Sequence, residues 1–304
     1  MSMQVGLMVP QGWKGEYDGW EPRAAWTRSL ACAADAERLG FESLWVFDHF
    51  TTVPEPTDEI TFESFTMLGG LSHATERVRI GHMVVCTGFR NPALTAKMSS
   101  TLDVMSGGRF ELGIGAGWKE DEWVAYGYDF PDTPERLATL RDHLEIIGRM
   151  LGPGRATFHG AFASVQGAIN EPKGIQSPHL PIIVGGNGRK VTFRLAARFA
   201  DELNLVYLDP TGVADALPVA RDRCEEIGRD PASLRISLYA PDHLFAAEGQ
   251  QRVDLIGEYA ALGLDRLIAF LGNRSTLLEA QAALAEDVRA AGVSLAGVGE
   301  PVAT

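Results

Sequence analysis

Cysteine is scarce in this chain. Only Cys32, Cys86 and Cys224 occur, far apart and without CxxC or Cys/His spacing. That excludes a disulfide-stapled scaffold and suits a reducing, cytoplasmic compartment. Long apolar runs are also missing: no uncharged stretch approaches the roughly 18–20 residues that a membrane-spanning helix needs. The start has no basic segment ahead of an apolar one. Val5, Leu7 and Val9 arrive at once and read as a first strand rather than a signal peptide. Positive charge is in deficit, 27 Lys and Arg against 40 Asp and Glu, for a formal net charge of −13. Such a surface repels phosphate backbones, so nucleic acid is a poor partner. An anionic small ligand then needs a local basic or amide-rich pocket. The 7 histidines show no HxH or HExxH spacing, and no GxSxG is present, so no metal and no Ser nucleophile is predicted.

What is present is a strand–helix rhythm. Apolar strands are predicted at Gln4–Val9, Ser43–Phe47, Val78–Val85, Arg109–Ile114, Pro181–Val184, Glu202–Val206, Leu234–Tyr239 and Arg266–Phe270. Helices follow each in turn, over Arg23–Leu39 with a stop at Gly40, Phe62–Ala74, from Asn91-Pro92 and from Thr133-Pro134. In the last of these, Leu137, Leu140, Leu144, Ile147 and Leu151 make one apolar stripe. Further helices are expected over Lys190–Phe199, 213–228, 252–262 and 275–291. Eight such units in 304 residues predict an α/β fold, a (β/α)8 TIM barrel spanning 1–304 as one domain. A doubly wound sheet is the runner-up, but Pro10-Gln11-Gly12-Trp13-Lys14-Gly15 after the first strand is no GxGxxG loop. Residues 152–180, between the fourth helix and fifth strand, read as an insertion or lid with a short hairpin about Gly160. Residues 292–304 read as a loose tail.

In such barrels chemistry gathers at the C-terminal strand ends. The second strand ends in Asp48-His49, a pair able to hydrogen-bond or pass a proton to a ligand over the mouth. Equally, Asp48 can fix its own loop and His49 can pack among aromatics. The third strand ends Met83-Val84-Val85-Cys86, which can underlie a flat ligand or simply be core. Gly115-Ala116-Gly117 lets a ligand approach the backbone, and Trp118 can stack on a ring or cap the core. The most specific local signal is Gly185-Gly186-Asn187-Gly188-Arg189-Lys190, a Gly-rich turn opening a helix, a ready site for an anion.

Taken in order, these motifs resemble the luciferase-like monooxygenase superfamily. The resemblance rests on Val9-Pro10-Gln11-Gly12-Trp13, Glu42 to His49, Arg77 to Gly81, Arg90-Asn91-Pro92-Ala93, Ser106 to Trp118 and Pro181 to Gly186, covering roughly 3–205. It is nearest the branch of F420-dependent oxidoreductases. It implies a dimeric TIM barrel holding the deazaflavin F420, or alternatively FMN, at the mouth. It further implies a bulge, often with a non-proline cis peptide, at Met83-Val84 behind the ring. Cys86, Gly115, Ala116 and Gly117 then line the ring and ribityl chain. Gly185, Gly186, Asn187 and Gly188, with Lys190, take the phosphate. His49 with Asp48 faces the ring as the catalytic pair, and Gln11, Trp13 and Trp118 are expected on the substrate side. One departure is plain: the sugar-phosphate dehydrogenases of the superfamily carry a catalytic Glu where this chain has Trp118. Glu120 or Glu122 can replace it only if the loop folds back. The functions expected are hydride transfer with F420, with an FMN-dependent monooxygenase or a cofactor carrier as alternatives.

Overall fold

The computed structural model describes residues 3–272 and 277–296. Eight parallel strands close into a barrel in the order β1 (Gln4–Met8), β2 (Ser43–Val46), β3 (Arg79–His82), β5 (Phe110–Gly115), β8 (Ile182–Gly185), β9 (Glu202–Val206), β10 (Arg235–Tyr239) and β11 (Arg266–Ala269). The ring shuts where β11 pairs with β1, Gln4 opposite Arg266, and β3 with β5, Ile80 opposite Phe110. The expected TIM barrel is therefore observed. Among the described residues no helix is long and apolar enough to cross a membrane.

Each strand buries both faces. Leu7, Leu44, Ile80, Leu112, Val184, Leu203, Leu238 and Leu267 pack outward against the helices. Those helices are α1 (Pro22–Leu39), α2 (Ser64–Ala74), α3 (Pro92–Met105), α5 (Thr133–Leu151), α6 (Thr192–Phe199), α7 (Pro210–Glu225), α9 (Gln250–Ala261) and α10 (Leu277–Ala290). Acidic or amide caps start several of them. Glu21 accepts from the amides of Arg23 and Ala24, Asn91 from Ala93, and Asp132 from Glu135. Gly40, at φ +95, ends α1 where sequence placed the stop. Short helices α4 (Glu120–Ala125) and α8 (Asp242–Ala246) were not expected.

Three expectations need correction. The third strand is not continuous to Val85: it breaks after His82 and resumes as β4 (Val85–Cys86). Segment 152–180 does contain the hairpin, β6 (Ala156–His159) with β7 (Ser164–Ala168), but it is no lid over the mouth. It connects a helix back to the start of a strand and is fastened at the opposite end. There the Ile175 amide and Gln176 Nε2 donate to Asp103, Gln176 Nε2 also to the Phe110 carbonyl, and Arg79 donates to Gln176 Oε1. The expected loose tail is docked as far as it is described: Val293 is buried and the Ala296 amide donates to the Gly40 carbonyl. Residues 297–304, and the expected helix start at 275, lie outside the described residues.

The barrel floor is ionic. Arg266, fully buried, donates from Nη1 to Glu111 Oε2 (2.8 Å) and Glu202 Oε2 (3.0 Å). Its Nη2 and Nε reach Glu42 at 2.9 and 3.0 Å. Arg79 pairs with Glu111, and Arg235 with Glu202 at 2.8 Å. Burial works against every charge here. For Glu111 the three guanidinium groups outweigh it and hold the carboxyl down at about 2, whereas burial dominates at Glu202 and pulls that carboxyl upward. The carboxylates likewise raise Arg266 well above its ordinary value despite burial. Removing the central cation takes Glu42's ion-pair partner away and leaves Glu111 and Glu202 to Arg79 and Arg235 alone in a dry interior. Arg266→Met is expected to cost about 3–5 kcal/mol in urea unfolding. A loss under about 1 kcal/mol, the level of an exposed pair, would refute the central role given to Arg266.

Candidate active site

The mouth is shaped by the break between β3 and β4. The Met83–Val84 peptide is cis, at the place where the family resemblance puts it. Val84 turns its methyls against neighbouring strands, and glycine is what those strands offer. A Cβ at Gly115 would lie 2.9 Å from Val84 Cγ2, and one at Gly185 3.0 Å from Cγ1. At Gly113 it would meet the His82 carbonyl oxygen at 2.0 Å, far inside contact distance. Gly117, at φ +78, brings the backbone to within 2.6 Å, as a Cβ would measure it, of Cys86 Sγ. Burial pushes that thiol up to about 12, so Cys86 is a wall and not a nucleophile.

A cavity of about 470 Å³ opens above this floor. It is lined by Trp13, Asp48, His49, Met83, Val84, Cys86, Gly115, Ala116, Gly117, Trp118, Gly185 and Gly186, so the structure brings together most residues singled out from sequence. Four stand apart. Gln11 is fully buried beneath the mouth, its Nε2 donating to the carbonyls of Phe47 (2.9 Å) and Phe62 (2.6 Å) and its Oε1 accepting from the Phe47 amide. Every hydrogen bond its side chain makes is to backbone, so it fixes the loops and is not a substrate ligand. Asn187 spends its side chain on both backbone groups of Val206, and the Gly188 carbonyl caps the Phe193 amide. Lys190 is exposed, and its carbonyl accepts from Arg194. Thr192, the first residue of α6, lines the cavity in their place.

Asp48 and His49 turn out to play separate parts. Asp48 is buried with its oxygens taken: Oδ1 accepts from Ser64 Oγ at 2.7 Å, Oδ2 from the Cys86 amide at 2.9 Å and from Arg90 Nη1 at 2.7 Å. Burial opposes the Arg90 charge, yet Asp48 and Glu63 outweigh it and raise the guanidinium above its ordinary value. Asp48 is thus a structural clamp between β2, β4 and α2 and corrects the expected catalytic role. His49 instead meets Glu122 from α4, Nδ1 to Oε2 at 2.8 Å. Glu122 Oε1 accepts from the amides of Phe50 (2.6 Å) and Thr51 (3.1 Å), so this loop does fold back onto the β2 end. A carboxylate only accepts, which places the proton on Nδ1 and leaves Nε2 free to exchange one. The His49 ring stacks on Trp13 (4.4 Å between centroids, 5° apart) and meets Trp118 edge-on at 5.8 Å.

The opposite wall was not anticipated. Tyr207 lines the cavity at φ +54, a left-handed conformation that costs a non-glycine residue of order 1 kcal/mol. Its hydroxyl holds it there, donating to Tyr239 (3.3 Å) and accepting from Lys14 Nζ (3.1 Å). Asn204 and Trp13 also line the cavity, and Asn204 Oδ1 and Trp13 Nε1 are buried without a hydrogen-bond partner. Asn204 could have been read from strand parity, since Glu202, Asn204 and Val206 are alternate positions of one strand.

The profile of the luciferase-like monooxygenase family matches residues 3–288. The chain belongs to this family. Among its relatives is the F420-dependent glucose-6-phosphate dehydrogenase of Microbacterium testaceum, 32% identical over 226 residues, 70% of this chain and 64% of that protein. The enzyme of the same name from Segniliparus rotundus is 27% identical over 76% of this chain and 67% of its own length. Of solved structures, an F420-dependent secondary alcohol dehydrogenase with an F420–acetone adduct superposes with TM-score 0.82 at 19% identity, covering 96% and 99% of the two chains. The F420-dependent tetrahydromethanopterin reductase of Methanopyrus kandleri gives 0.75 at 18%, covering 95% and 98%. At these identities the likeness is one of fold.

A tricyclic cofactor of the kind this family holds suits the site as built. The strand ends behind the cavity are glycines where a Cβ would collide with Val84 or Cys86, so no side chain thickens that wall. At the start of α6 the Phe193 and Leu195 amides are taken by the Gly188 and Val191 carbonyls and no side chain caps the helix, which leaves its Thr192 end for a phosphate. The clamp beneath can be tested independently of ligand. Arg90→Met leaves the Asp48 carboxylate buried and unpaired, and a loss of about 3 kcal/mol in chemical unfolding is expected; a loss within about 0.5 kcal/mol, the scale of surface changes, would show that Asp48 does not depend on it.

Proposed function

We propose that the chain is an oxidoreductase that uses F420 to reduce or oxidise a small organic carbonyl or alcohol at the barrel mouth. One observation carries the reading: the His49–Glu122 pair stands at the edge of a glycine-floored cavity in a family whose relatives include F420-dependent dehydrogenases. F420, when bound, supplies a ring carbon that gives or takes a hydride. Met83, Val84 and Cys86 would back the ring, and Gly115, Ala116 and Gly117 would admit the chain that follows it. Gly185, Gly186 and Thr192 would receive the phosphate, with Arg189 and Lys190 adding positive charge nearby. His49, held by Glu122, delivers a proton to the substrate oxygen in reduction and removes it in oxidation. Glu122 keeps the imidazole in one tautomer and orientation, as second carboxylates do for other catalytic histidines. The aromatic walls exclude water around that exchange. A homodimer and a cytoplasmic setting belong to the same proposal, on family resemblance.

Titration of the purified protein with F420 and FMN in parallel tests the cofactor, and F420 is expected to bind the more tightly. Preferential FMN binding with substrate-dependent oxygen uptake would instead support a monooxygenase. Tight F420 binding without turnover of any carbonyl or alcohol would support a carrier. For the proton role, His49→Ala is expected to lower kcat by about 100-fold or more while F420 affinity stays within about threefold. Glu122→Gln should lower kcat less and displace the pH–rate profile. Unchanged turnover in His49→Ala would remove it from the chemistry.

A further inference from the structure

The charge around the mouth is unlike what a phosphate ester needs. Among the described cavity-lining residues Lys119 is the one Lys or Arg, and its ammonium pairs with Asp121. Arg90 is taken by Asp48 and Glu63 at 2.7 and 2.8 Å. Lys14, at the rim, lies over the rings of Phe270 (5.0 Å), Trp13 and Tyr207 (both 5.7 Å) and pairs with Asp242 at 3.5 Å. Each of these cations already faces a carboxylate, and Glu122 is a further acid in the lining itself. Arg189 and Lys190 lie on the loop assigned to the cofactor's phosphate. What remains for a substrate is aromatic: Trp13, Trp118, Tyr207 and Tyr239, with Trp118 64% and Tyr207 42% exposed and so available for contact.

Resting on the F420 reading above, we infer that the site takes neutral, flat, apolar ketones of the aryl class, or the matching secondary alcohols, and rejects phosphate esters and other anions. In reduction the ketone gains a hydride at carbon and a proton at oxygen. His49 supplies that proton and recovers one as reduced F420 gives up the hydride and a proton, so alcohol and oxidised F420 are the balanced products. Trp118 and Tyr207 set the preference by stacking on the flat group, and the neutralised cations enforce it by offering an anion no partner. The substrate class therefore differs from that in the names of the glucose-6-phosphate dehydrogenase relatives.

The probes are acetophenone, its para-carboxylate (para-acetylbenzoate), acetone and glucose 6-phosphate, titrated by tryptophan fluorescence into the protein with and without F420. Acetophenone is expected to bind at least about tenfold more tightly than para-acetylbenzoate, which adds an ionised carboxylate to the same ring. With reduced F420 loaded, kcat/KM should follow the same order. Trp118→Ala and Tyr207→Ala should each raise the KM for acetophenone by about tenfold, with a much smaller rise for acetone. Asp242→Asn, which frees Lys14, should tighten para-acetylbenzoate about threefold, the scale of an exposed ion pair. Equal or tighter binding of para-acetylbenzoate or glucose 6-phosphate overturns the inference, as does an unaltered KM ratio in both aromatic variants. Failure of F420 to bind strikes the cofactor reading instead, and the titrations without F420 still decide the substrate class.

Discussion

The register of the barrel depends on the enclosure of Arg266. Its guanidinium reaches acids from β5 and β9 and Glu42 just ahead of β2, while Arg79 and Arg235 complete the layer from β3 and β10. Charges in a dry interior must be matched, so a strand that slipped by one residue would turn its acid or base outward and leave a partner bare. The same alternation carries upward. Above Glu111 stand Gly113 and Gly115, above Glu202 stand Asn204 and Val206, and above Arg235 and Arg266 stand Tyr239 and Phe270. An ionic floor that pins register therefore also decides which side chains arrive at the mouth.

At the mouth one strand departs from that regularity, and its neighbours are built for the departure. The break at Met83-Val84 pushes an isopropyl group into space that β5 and β8 vacate through glycine. The backbone thus presents a flat, side-chain-free floor while Val84 fills the volume beneath it. Asp48 then ties the displaced segment down through the Cys86 amide and Arg90. Shape comes from sterics and is held by one buried ion pair, which leaves His49 and Glu122 free of structural duty toward that floor.

Much of this was legible in the sequence because it is periodic or local. Strand alternation, the helix starts at Asn91-Pro92 and Thr133-Pro134 and the stop at Gly40 announce the eight units, and glycine clusters at strand ends announce the cavity. What escaped was long-range. Gln11 and Asn187 look like ligands in isolation, and only the folded chain shows their amides bound to the backbone of Phe47, Phe62 and Val206. The floor charges read singly as solvated acids and bases scattered from Glu42 to Arg266, since nothing in linear order pairs residues 224 positions apart. Tyr207 escaped for another reason: its place depends on a left-handed backbone that sequence favours only for glycine.

Trp118 stands where the family resemblance implies a catalytic glutamate in the sugar-phosphate dehydrogenases. The acid that serves the site here is Glu122, four residues on, in the first turn of α4. From the strand end a carboxylate would confront the substrate. From α4 it sits buried behind the imidazole, bound to His49 and to two loop amides. Its charge then steadies the proton on His49, and position 118 is an exposed indole. A carboxylate turned to the histidine and an indole at the rim together favour the neutral substrate proposed above over a charged, hydrophilic one. The neutralised Lys14 and Lys119 act in the same direction, so the chemistry of the rim agrees with the chemistry of the proton pair beneath it.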